Sequence, residues 1–177
     1  MDIVSLNADN TAHRTAVAEL LREAFPHSYG DSAEGEVESL LEAGKVAIVA
    51  LVEGRVVGFA GAMPQYGCTG WELHPLAVRK DLQFGGIGTR LTEALEAEVA
   101  RRGGITLYLG TDDEFGQTTL SGVNLYDDLC GHVTSIANPG RHPYEFYLKS
   151  GYSIVGVIPD ANGLGKPDII MAKRLKN

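Results

Sequence analysis

The chain has 177 residues, of which 44% are hydrophobic and 21% are charged, and this size and composition suit one globular domain with a full hydrophobic core. Its formal net charge of −8 argues against nucleic acid as a partner, because phosphate backbones are bound by basic surfaces. No apolar run approaches the ~20 residues that span a bilayer, and the N-terminus lacks the pattern of a secretory signal, so we expect a single domain over residues 1–177 in the cytoplasm, with no membrane partner.

The first third of the chain is predicted to form a short strand and two amphipathic helices. Ile3 to Leu6 are interpreted as the strand. Apolar residues at helical spacing follow, with Asn10 or Thr11 as the cap, and this helix ends before Pro26. A second helix begins near Ser32 and turns its glutamates mostly to solvent.

Three strands and a long helix are predicted for the middle of the chain. Val46 to Val52 and Arg55 to Met63 are apolar runs joined by Glu53-Gly54, a two-residue hairpin signal. Trp71 to Val78 is the third strand, and a glycine-rich turn leads from it into a helix whose apolar residues recur every fourth position. Gly103-Gly104 ends that helix.

The last part of the chain adds two helices and three strands. One helix is predicted over Tyr144 to Ser150 and is closed by Gly151, and Ser121 to Cys130 is interpreted as the other, in a less regular region. The strands are Ile105 to Leu109, Tyr152 to Ile158 and Asp168 to Leu175. This order predicts an α/β fold in which a mixed, mostly antiparallel central sheet carries helices on both faces.

The turn Gln83-Phe84-Gly85-Gly86-Ile87-Gly88 lies directly before the long helix. A glycine-rich turn at a helix N-terminus exposes unpaired N–H groups beside the positive end of the helix dipole, which favours phosphate binding. A Rossmann fingerprint needs glycine where Leu91 stands, and a Walker loop needs lysine where Thr89 stands. An ordinary strand-to-helix turn is the structural alternative. The pattern Q-x-x-G-x-G resembles the acetyl-coenzyme A pyrophosphate loop of the GNAT superfamily of N-acetyltransferases.

The strand before this turn carries an acid and an imidazole on one face. Side chains alternate along a strand, so Glu72, His74 and Leu76 share a face. Glu72 has the chemistry to orient a substrate ammonium and accept its proton, directly or through water, or it is a rim residue. His74 is either a hydrogen-bonded strand histidine or a substrate-binding or proton-relay residue.

Pro75 lies within the same strand and cannot donate to a ladder, so it predicts a bulge or a splayed edge. In the GNAT superfamily such a splayed strand pair receives the pantetheine arm. The resemblance therefore implies that the Leu76 N–H stabilises the oxyanion, and that residues of this strand hold the cofactor. The residues it assigns to acetyl-CoA are Leu76, Ala77, Val78, Gln83, Phe84, Gly85, Gly86, Ile87, Gly88 and Thr89.

The segment Tyr144 to Tyr152 resembles the second GNAT signature, in which an aromatic-Tyr helix is followed by Gly and an aromatic residue. The matching tyrosine is Tyr147, which by the resemblance donates a proton to the departing thiolate. A packed core tyrosine is the structural alternative.

Further blocks resemble one branch of that superfamily, the aminoglycoside 6′-N-acetyltransferases, which are usually dimers. The blocks include Phe25-Pro26, Tyr29 to Ser32, Pro64 to Gly67, Gly70 to Leu76, Gly103 to Asp113, His142 to Tyr147 and Gly163 to Lys173. Phe25 departs from the pattern, because relatives commonly carry Trp before the proline. The resemblance implies an acetyl-CoA-dependent enzyme that acetylates the 6′-amine of aminoglycosides in antibiotic resistance, and a homodimer.

The same resemblance implies a set of substrate-binding residues, which are Phe25, Tyr66, Glu72, His74 and Asp112. The acidic run Asp112-Asp113-Glu114 suits a polycationic substrate, and a solvated loop is the alternative reading. Other amine substrates, such as a polyamine or a protein lysine, and a non-catalytic acyl-CoA-binding module stay open. Cys68 and Cys130 fit no metal or redox spacing, so no metal is expected.

Overall fold

The computed structural model describes residues 1–175, and the chain divides into two compact units. Unit 1 comprises residues 1–107 together with Leu175, and unit 2 comprises residues 108–174. Each unit is described by itself. The expectation of one domain over residues 1–177 stays a prediction, and residues 176 and 177 lie outside the described part of the chain.

Unit 1 contains four helices and four complete strands among its described residues. The strands are β1 (Asp2–Ser5), β2 (Val46–Val52), β3 (Arg55–Tyr66) and β4 (Gly70–Val78). The helices are α1 (Thr11–Ala24), α2 (Pro26–Tyr29), α3 (Ala33–Leu40) and α4 (Ile87–Arg101), and short 3₁₀ turns cover Gly30–Ser32 and Lys80–Leu82. These bounds confirm the predicted elements to within a few residues, while α2 was not foreseen.

Local signals in the sequence explain where these elements begin and turn. The Asn10 side chain accepts a hydrogen bond from the His13 N–H, and it caps α1 as predicted. Glu53 and Gly54 both have positive φ, at 50° and 76°, which joins β2 to β3 through a tight hairpin. α4 ends at Arg101, and Gly103 shortly after it has the positive φ of 89° that is typical of a residue following a helix.

The strands of unit 1 lie in the order β1-β2-β3-β4, and each neighbouring pair is antiparallel. Helices cover both faces. Phe59 is buried in one core with α1 and α3, whereas a Cβ atom at the neighbouring Gly58 would lie 2.8 Å from Leu91 of α4. Adjacent residues of a strand point to opposite faces, so α4 packs on the face opposite α1 and α3.

The pairing of β3 with β4 is irregular at the position of Pro75. Ala60 pairs with Leu76, but Ala62 pairs with Leu73, so β4 has one more residue than β3 between these two pairs. This irregularity confirms the bulge that Pro75 predicted. Gly61 lies opposite it, and a Cβ atom there would lie 2.6 Å from the His74 carbonyl oxygen.

Unit 2 contains the carboxyl end of β5 (Thr106–Asp112), the helices α5 (Leu129–Thr134) and α6 (Tyr144–Lys149), and the strands β6 (Ser153–Ile158) and β7 (Asp168–Arg174). The strand order is β5-β7-β6, and β6 and β7 are antiparallel. Gly151, at φ 88°, follows the last turn of α6, which confirms its predicted end.

The predicted helix over Ser121 to Cys130 is wrong, because the helix in this region is α5, which begins at Leu129. Gly122 has a φ of 74°, a left-handed conformation that interrupts a helix. The Asn124 side chain accepts from the Tyr126 N–H and forms a local turn instead. Asp128 then caps α5 by accepting from the Gly131 N–H. Most of the segment 121–128 therefore forms turns, which Gly122 and the short polar side chains stabilise, and not a helix.

Asp113 is the buried centre of the loop that follows β5. Its carboxylate accepts hydrogen bonds from the Gln117 N–H at 2.6 Å, the Thr118 N–H at 2.8 Å and hydroxyl at 2.7 Å, and the Ser121 hydroxyl at 2.9 Å. The residue is 0% exposed. It therefore does not belong to an exposed acidic surface with Asp112 and Glu114, as the sequence suggested, because its charge is used to order its own loop.

Replacing Asp113 by asparagine tests this arrangement. Burial acts to raise the pKa of Asp113, but the hydrogen bonds from Gln117, Thr118 and Ser121 outweigh it and hold the pKa below its usual range. Asp113→Asn turns an amide donor toward other donors, so we expect the free energy of unfolding at pH 7 to fall by about 1–3 kcal/mol. Denaturant unfolding measures it.

The lowered pKa also sets a pH dependence. The stabilisation by Asp113 is fully present above its unfolded pKa of about 4 and is lost as the pH falls through the lower folded value. The wild type should therefore lose more stability than Asp113→Asn as the pH is lowered through and below about 4. Glu114→Gln, at the adjacent acid, is the matched control. Equal stability of Asp113→Asn and wild type at pH 7 contradicts the role of this carboxylate.

Candidate active site

Strand β4 presents the polar residues of the candidate site in unit 1. Trp71, Leu73 and Ala77 are buried, while Glu72 and Leu76 between them are partly exposed and His74 is exposed. The predicted alternation of the two faces is therefore confirmed. Leu76 pairs with Ala60 directly after the bulge.

Glu72 is held by a neutral partner on the neighbouring strand. The Gln65 side-chain amide donates a hydrogen bond of 2.7 Å to Oε2 of Glu72. This contact restricts the carboxylate without cancelling its charge, because Gln65 is uncharged. A carboxylate has more acceptor sites than one amide fills, so Glu72 can still accept a proton or a hydrogen bond from a ligand.

His74 forms a hydrogen bond to a tyrosine that the sequence did not single out as a site residue. The Tyr29 hydroxyl lies 2.7 Å from Nε2 of His74. The ring of Tyr29 contacts the ring of Phe25 edge to face, with centroids 5.7 Å apart, and the ring of His74 lies at 6.0 Å. Phe25 and His74, two predicted substrate-binding residues, thus meet on the same tyrosine.

The electrostatic environment of Tyr29 is negative. Burial raises the pKa of the Tyr29 hydroxyl, and the charges of Glu36 and Glu72 raise it further. Tyr29 therefore stays a neutral hydroxyl at physiological pH. Glu36 and Glu72 thus contribute negative charge near the Tyr29 hydroxyl.

Tyr66 lies at the end of β3, where it is 72% exposed. It pairs with Gly70 across the hairpin, and a Cβ atom at Gly70 would lie 2.9 Å from the Tyr66 ring. The absence of a side chain at Gly70 thus leaves space for this ring to lie across the strand.

The glycine-rich turn after β4 has the geometry of an anion-binding site. Gly86 is the N-cap of α4, with φ at 81° and no side chain to cap the helix. The first intrahelical hydrogen bond runs from the Arg90 N–H to the Gly86 carbonyl, so the N–H groups of Ile87, Gly88 and Thr89 lie before it. These N–H groups and the helix dipole suit a pyrophosphate such as that of coenzyme A.

Gln83 and Phe84 shape the entrance to this turn. The Gln83 side-chain amide donates to the Val78 carbonyl at 3.2 Å and ties the turn to the end of β4. Phe84 has a positive φ of 64° and a fully exposed side chain. The residues predicted to bind the cofactor thus lie in two segments, 76–78 at the end of β4 and 83–89 in the turn and the first residues of α4.

Unit 2 contains Tyr147 on α6. The residue is 8% exposed, and its ring contacts Phe146 and Tyr152 edge to face. Burial raises the pKa of the Tyr147 hydroxyl, so it stays protonated and can act as a donor.

Asp112, also in unit 2, is exposed at the end of β5. The Asn162 amide donates to its Oδ1 at 2.5 Å. Its backbone carbonyl accepts from Nε2 of the buried His142 at 3.0 Å. The Tyr144 N–H donates to Nδ1 of the same ring, so the His142 proton is on Nε2. Asp112 is therefore held at both its carboxylate and its backbone.

Sequence reasoning missed four of these residues as site residues: Tyr29, Gln65, His142 and Asn162. Each contacts a predicted site residue that lies 7 to 50 residues away in the chain, and such contacts leave no periodicity in the sequence. Tyr29, Gln65 and His142 do lie in blocks that resemble known enzymes, and this resemblance was the one feature of the sequence that could have indicated them as site residues.

Neither a metal centre nor a membrane segment is found in the part of the chain that the structure describes. Within residues 1–175, no group of three or more His, Cys, Asp or Glu residues is placed to hold a metal ion. No helix over that range is long and apolar enough to cross a membrane. Cys68 and Cys130 are both free thiols at the surface.

Comparison with known proteins places this arrangement in a family. The profile of the Acetyltransferase (GNAT) family matches residues 14–132. A crystal structure of an aminoglycoside 6′-N-acetyltransferase complexed with coenzyme A is 50% identical, with a TM-score of 0.98 over 100% of this chain and 98% of that one. The aminoglycoside 6′-N-acetyltransferase from Enterococcus faecium is also 50% identical, with a TM-score of 0.96 and the same coverage.

An aminoglycoside 6′-acetyltransferase of type Ii is 45% identical, with a TM-score of 0.81 over 100% of this chain and 99% of that one. The comparison with curated proteins gave no match. The resemblance read from the sequence motifs and the predicted fold class are confirmed, since the family profile covers more than half of the chain and the full-length similarity is high. The chain therefore belongs to the GNAT family of acetyltransferases and has its α/β fold.

Proposed function

We propose that this protein transfers the acetyl group of acetyl-CoA directly to the 6′-amine of aminoglycosides. The observation that carries the proposal is the charged carboxylate of Glu72. It lies on β4, the strand that leads into the turn with free backbone N–H groups before α4, and it accepts a hydrogen bond from Gln65. The 45–50% identity to three aminoglycoside 6′-acetyltransferases over the whole chain supports the choice of substrate.

Acetyl-CoA supplies the acetyl group as a thioester, and the protein binds and orients it. The N–H groups of the first turn of α4 would hold the pyrophosphate, because this turn has no capping side chain and no Cβ atom at Gly86 or Gly88. The segment Leu76 to Val78 would hold the pantetheine arm. Leu76 follows the bulge directly, and its N–H is our candidate for stabilising negative charge on the thioester oxygen.

Two residues would move protons. Glu72 would orient the ammonium group of the substrate and accept its proton, directly or through water. Tyr147 would donate a proton to the departing thiolate, which its buried and protonated hydroxyl supports. These roles need opposite protonation states at neutral pH, and a carboxylate and a phenol provide them.

Recognition of the aminoglycoside would depend on charge and ring contact. Such antibiotics carry several ammonium groups, which suit Glu72 and Asp112, and the exposed ring of Tyr66 offers a surface for a sugar. Phe25 and His74, which both contact Tyr29, would form a further part of the aminoglycoside-binding surface.

The proposal extends to the state and location of the protein. A homodimer is supported by the exposed apolar side chains of Val155 and Ile158 on β6, which is last in the strand order of unit 2. Sedimentation at micromolar concentration measures it, and a monomer contradicts it. The exposed free thiols support a reducing cytoplasm, where acetyl-CoA is available and the enzyme would confer antibiotic resistance.

Replacing Gly88 by valine tests the pyrophosphate site. A β-branched side chain in the first turn of α4 obstructs the close approach of a phosphate to the backbone. We expect acetyl-CoA affinity to fall at least about tenfold by calorimetry, which is a loss of about 1.4 kcal/mol. Gly35→Val is the matched control, since Gly35 lies in α3 with open space around its Cβ position. Unchanged affinity in Gly88→Val removes this assignment.

The role of Tyr147 is tested by its replacement with phenylalanine, which keeps the ring contacts and removes the hydroxyl. Turnover should fall roughly 10- to 1000-fold, the range of general acid catalysis, with acetyl-CoA binding nearly intact. The exposed Tyr126 provides the control variant Tyr126→Phe. If Tyr147→Phe stays within about twofold of wild type where chemistry limits the rate, the tyrosine is only structural.

Glu72→Gln tests the substrate proposal, because it keeps the shape of the side chain and removes its charge. We expect kcat/KM for a 6′-amino aminoglycoside to fall roughly 10- to 1000-fold, with little change in acetyl-CoA affinity. Glu93→Gln, at an exposed glutamate of α4, is the control. A substrate analogue with a 6′-hydroxyl group should react far more slowly with wild type.

The product identifies the substrate class. Mass spectrometry of the reacted aminoglycoside should show one acetyl group on the 6′-nitrogen. Acetylation of a different ring amine, or faster reaction of linear polyamines or lysine peptides, contradicts the aminoglycoside 6′ proposal. Binding of acetyl-CoA without transfer to any amine supports a non-catalytic module instead.

A further inference from the structure

Tyr29 is held by its own segment before it meets any substrate. Its N–H donates to the Phe25 carbonyl at 2.9 Å, and its carbonyl accepts from the Ser32 hydroxyl at 3.2 Å. The side chain is 7% exposed. A fixed backbone and a buried ring leave the hydroxyl little freedom, so its position is set by the fold.

The next residue is anchored to α1. The Arg22 guanidinium donates to the Gly30 carbonyl at 2.9 Å and to the Glu34 carboxylate at 2.6 Å. These contacts tie the turn that follows Tyr29, between α2 and α3, to α1. The position of the Tyr29 hydroxyl is therefore fixed, and through its hydrogen bond it orients the more exposed ring of His74.

The hydrogen bond between Tyr29 and His74 has a preferred direction. A phenol is a stronger acid than the N–H of a neutral imidazole, and an imidazole nitrogen is a better acceptor than a phenol oxygen. The 2.7 Å contact therefore joins the Tyr29 O–H, as donor, to Nε2 of His74. The raised pKa of Tyr29, which is caused by burial and by Glu36 and Glu72, keeps the donor protonated. A neutral His74 then carries its own proton on Nδ1.

This arrangement determines what His74 can do. The Nε2 lone pair accepts from Tyr29, and Nδ1 already holds a proton, so the neutral ring has no lone pair left for a proton from the substrate. Glu72, two residues away on the same face, keeps that capacity. The two polar residues of β4 are thus chemically different.

We propose that Tyr29 is a positioning residue that holds His74 in its Nδ1-protonated form, so that His74 binds the amine substrate as a hydrogen-bond donor to a hydroxyl or ether oxygen. This inference deepens the proposed function and rests on it. It assigns proton acceptance on this strand to Glu72 alone and gives His74 a part in substrate affinity.

The kinetic test uses Tyr29→Phe, which keeps the ring against Phe25 and removes only the hydroxyl. We expect KM for the aminoglycoside to rise about 2- to 12-fold, the worth of one neutral hydrogen bond, while kcat stays within about twofold. The KM for acetyl-CoA should not change. Tyr126→Phe is the control, because that tyrosine is 72% exposed.

A double-mutant cycle asks whether the effect passes through His74. In a His74→Ala background, Tyr29→Phe should change KM by less than about twofold. His74→Asn, whose amide can donate near the place of Nδ1, should retain more affinity than His74→Ala. Additive effects of the two changes, or a fall in kcat with unchanged KM, overturn the proposal.

Nitrogen NMR of the wild-type protein and of Tyr29→Phe tests the tautomer without any substrate. At a pH where the ring is neutral, the ring-nitrogen shifts of His74 should show protonated Nδ1, and Tyr29→Phe should shift the population toward protonated Nε2. Protonated Nε2 in the wild type overturns the proposal. If wild type acetylates no aminoglycoside but the NMR result holds, the proposed function fails while the Tyr29–His74 pairing stands.

Discussion

Strands β3 and β4 pass each other at Gly61, where a Cβ atom would lie 2.6 Å from the carbonyl oxygen of His74. Only glycine allows this approach, and the approach coincides with the extra residue that β4 carries around Pro75. The bulge fixes the positions of His74 and Leu76 after the regular pairing of Met63 with Glu72. The position of His74, which contacts Tyr29, and that of Leu76 after the bulge are thus tied to this one backbone contact.

A second feature is the way in which acidic residues are held. Glu72 and Asp112 each accept a hydrogen bond from a side-chain amide, of Gln65 and Asn162 respectively. Elsewhere on the surface the acids pair with arginine, as in the ion pairs of Glu38, Glu34 and Asp81. An amide orients a carboxylate and leaves its charge available, whereas a guanidinium neutralises it. The difference separates acids that can attract a cation from acids that support the fold.

Most of the fold could be predicted from the sequence, because it depends on local signals. Asn10, Glu53-Gly54 and Gly151 each act through backbone conformation within a few residues, and the structure has them where the pattern predicted. The bulge at Pro75 was predictable for the same reason. The prediction of a helix at Ser121 to Cys130 was wrong because Gly122 and Asn124 form turns there. The spacing of apolar residues does not reveal such turns. Tyr29 and Gln65 were missed because their partners lie 45 and 7 residues away.

The Asp113 carboxylate gathers four hydrogen bonds from residues 117–121. Because these bonds order residues 113–121 from within, the path of the loop depends little on exposed positions whose side chains make no such bond. Phe115, which is 74% exposed, is one of these positions. Such a loop can accept changes at its outer residues during evolution without losing its path, so new ligand contacts can be selected there at little cost to folding. A single internal carboxylate thus separates the part of this loop that must be kept from the part that is free to diversify.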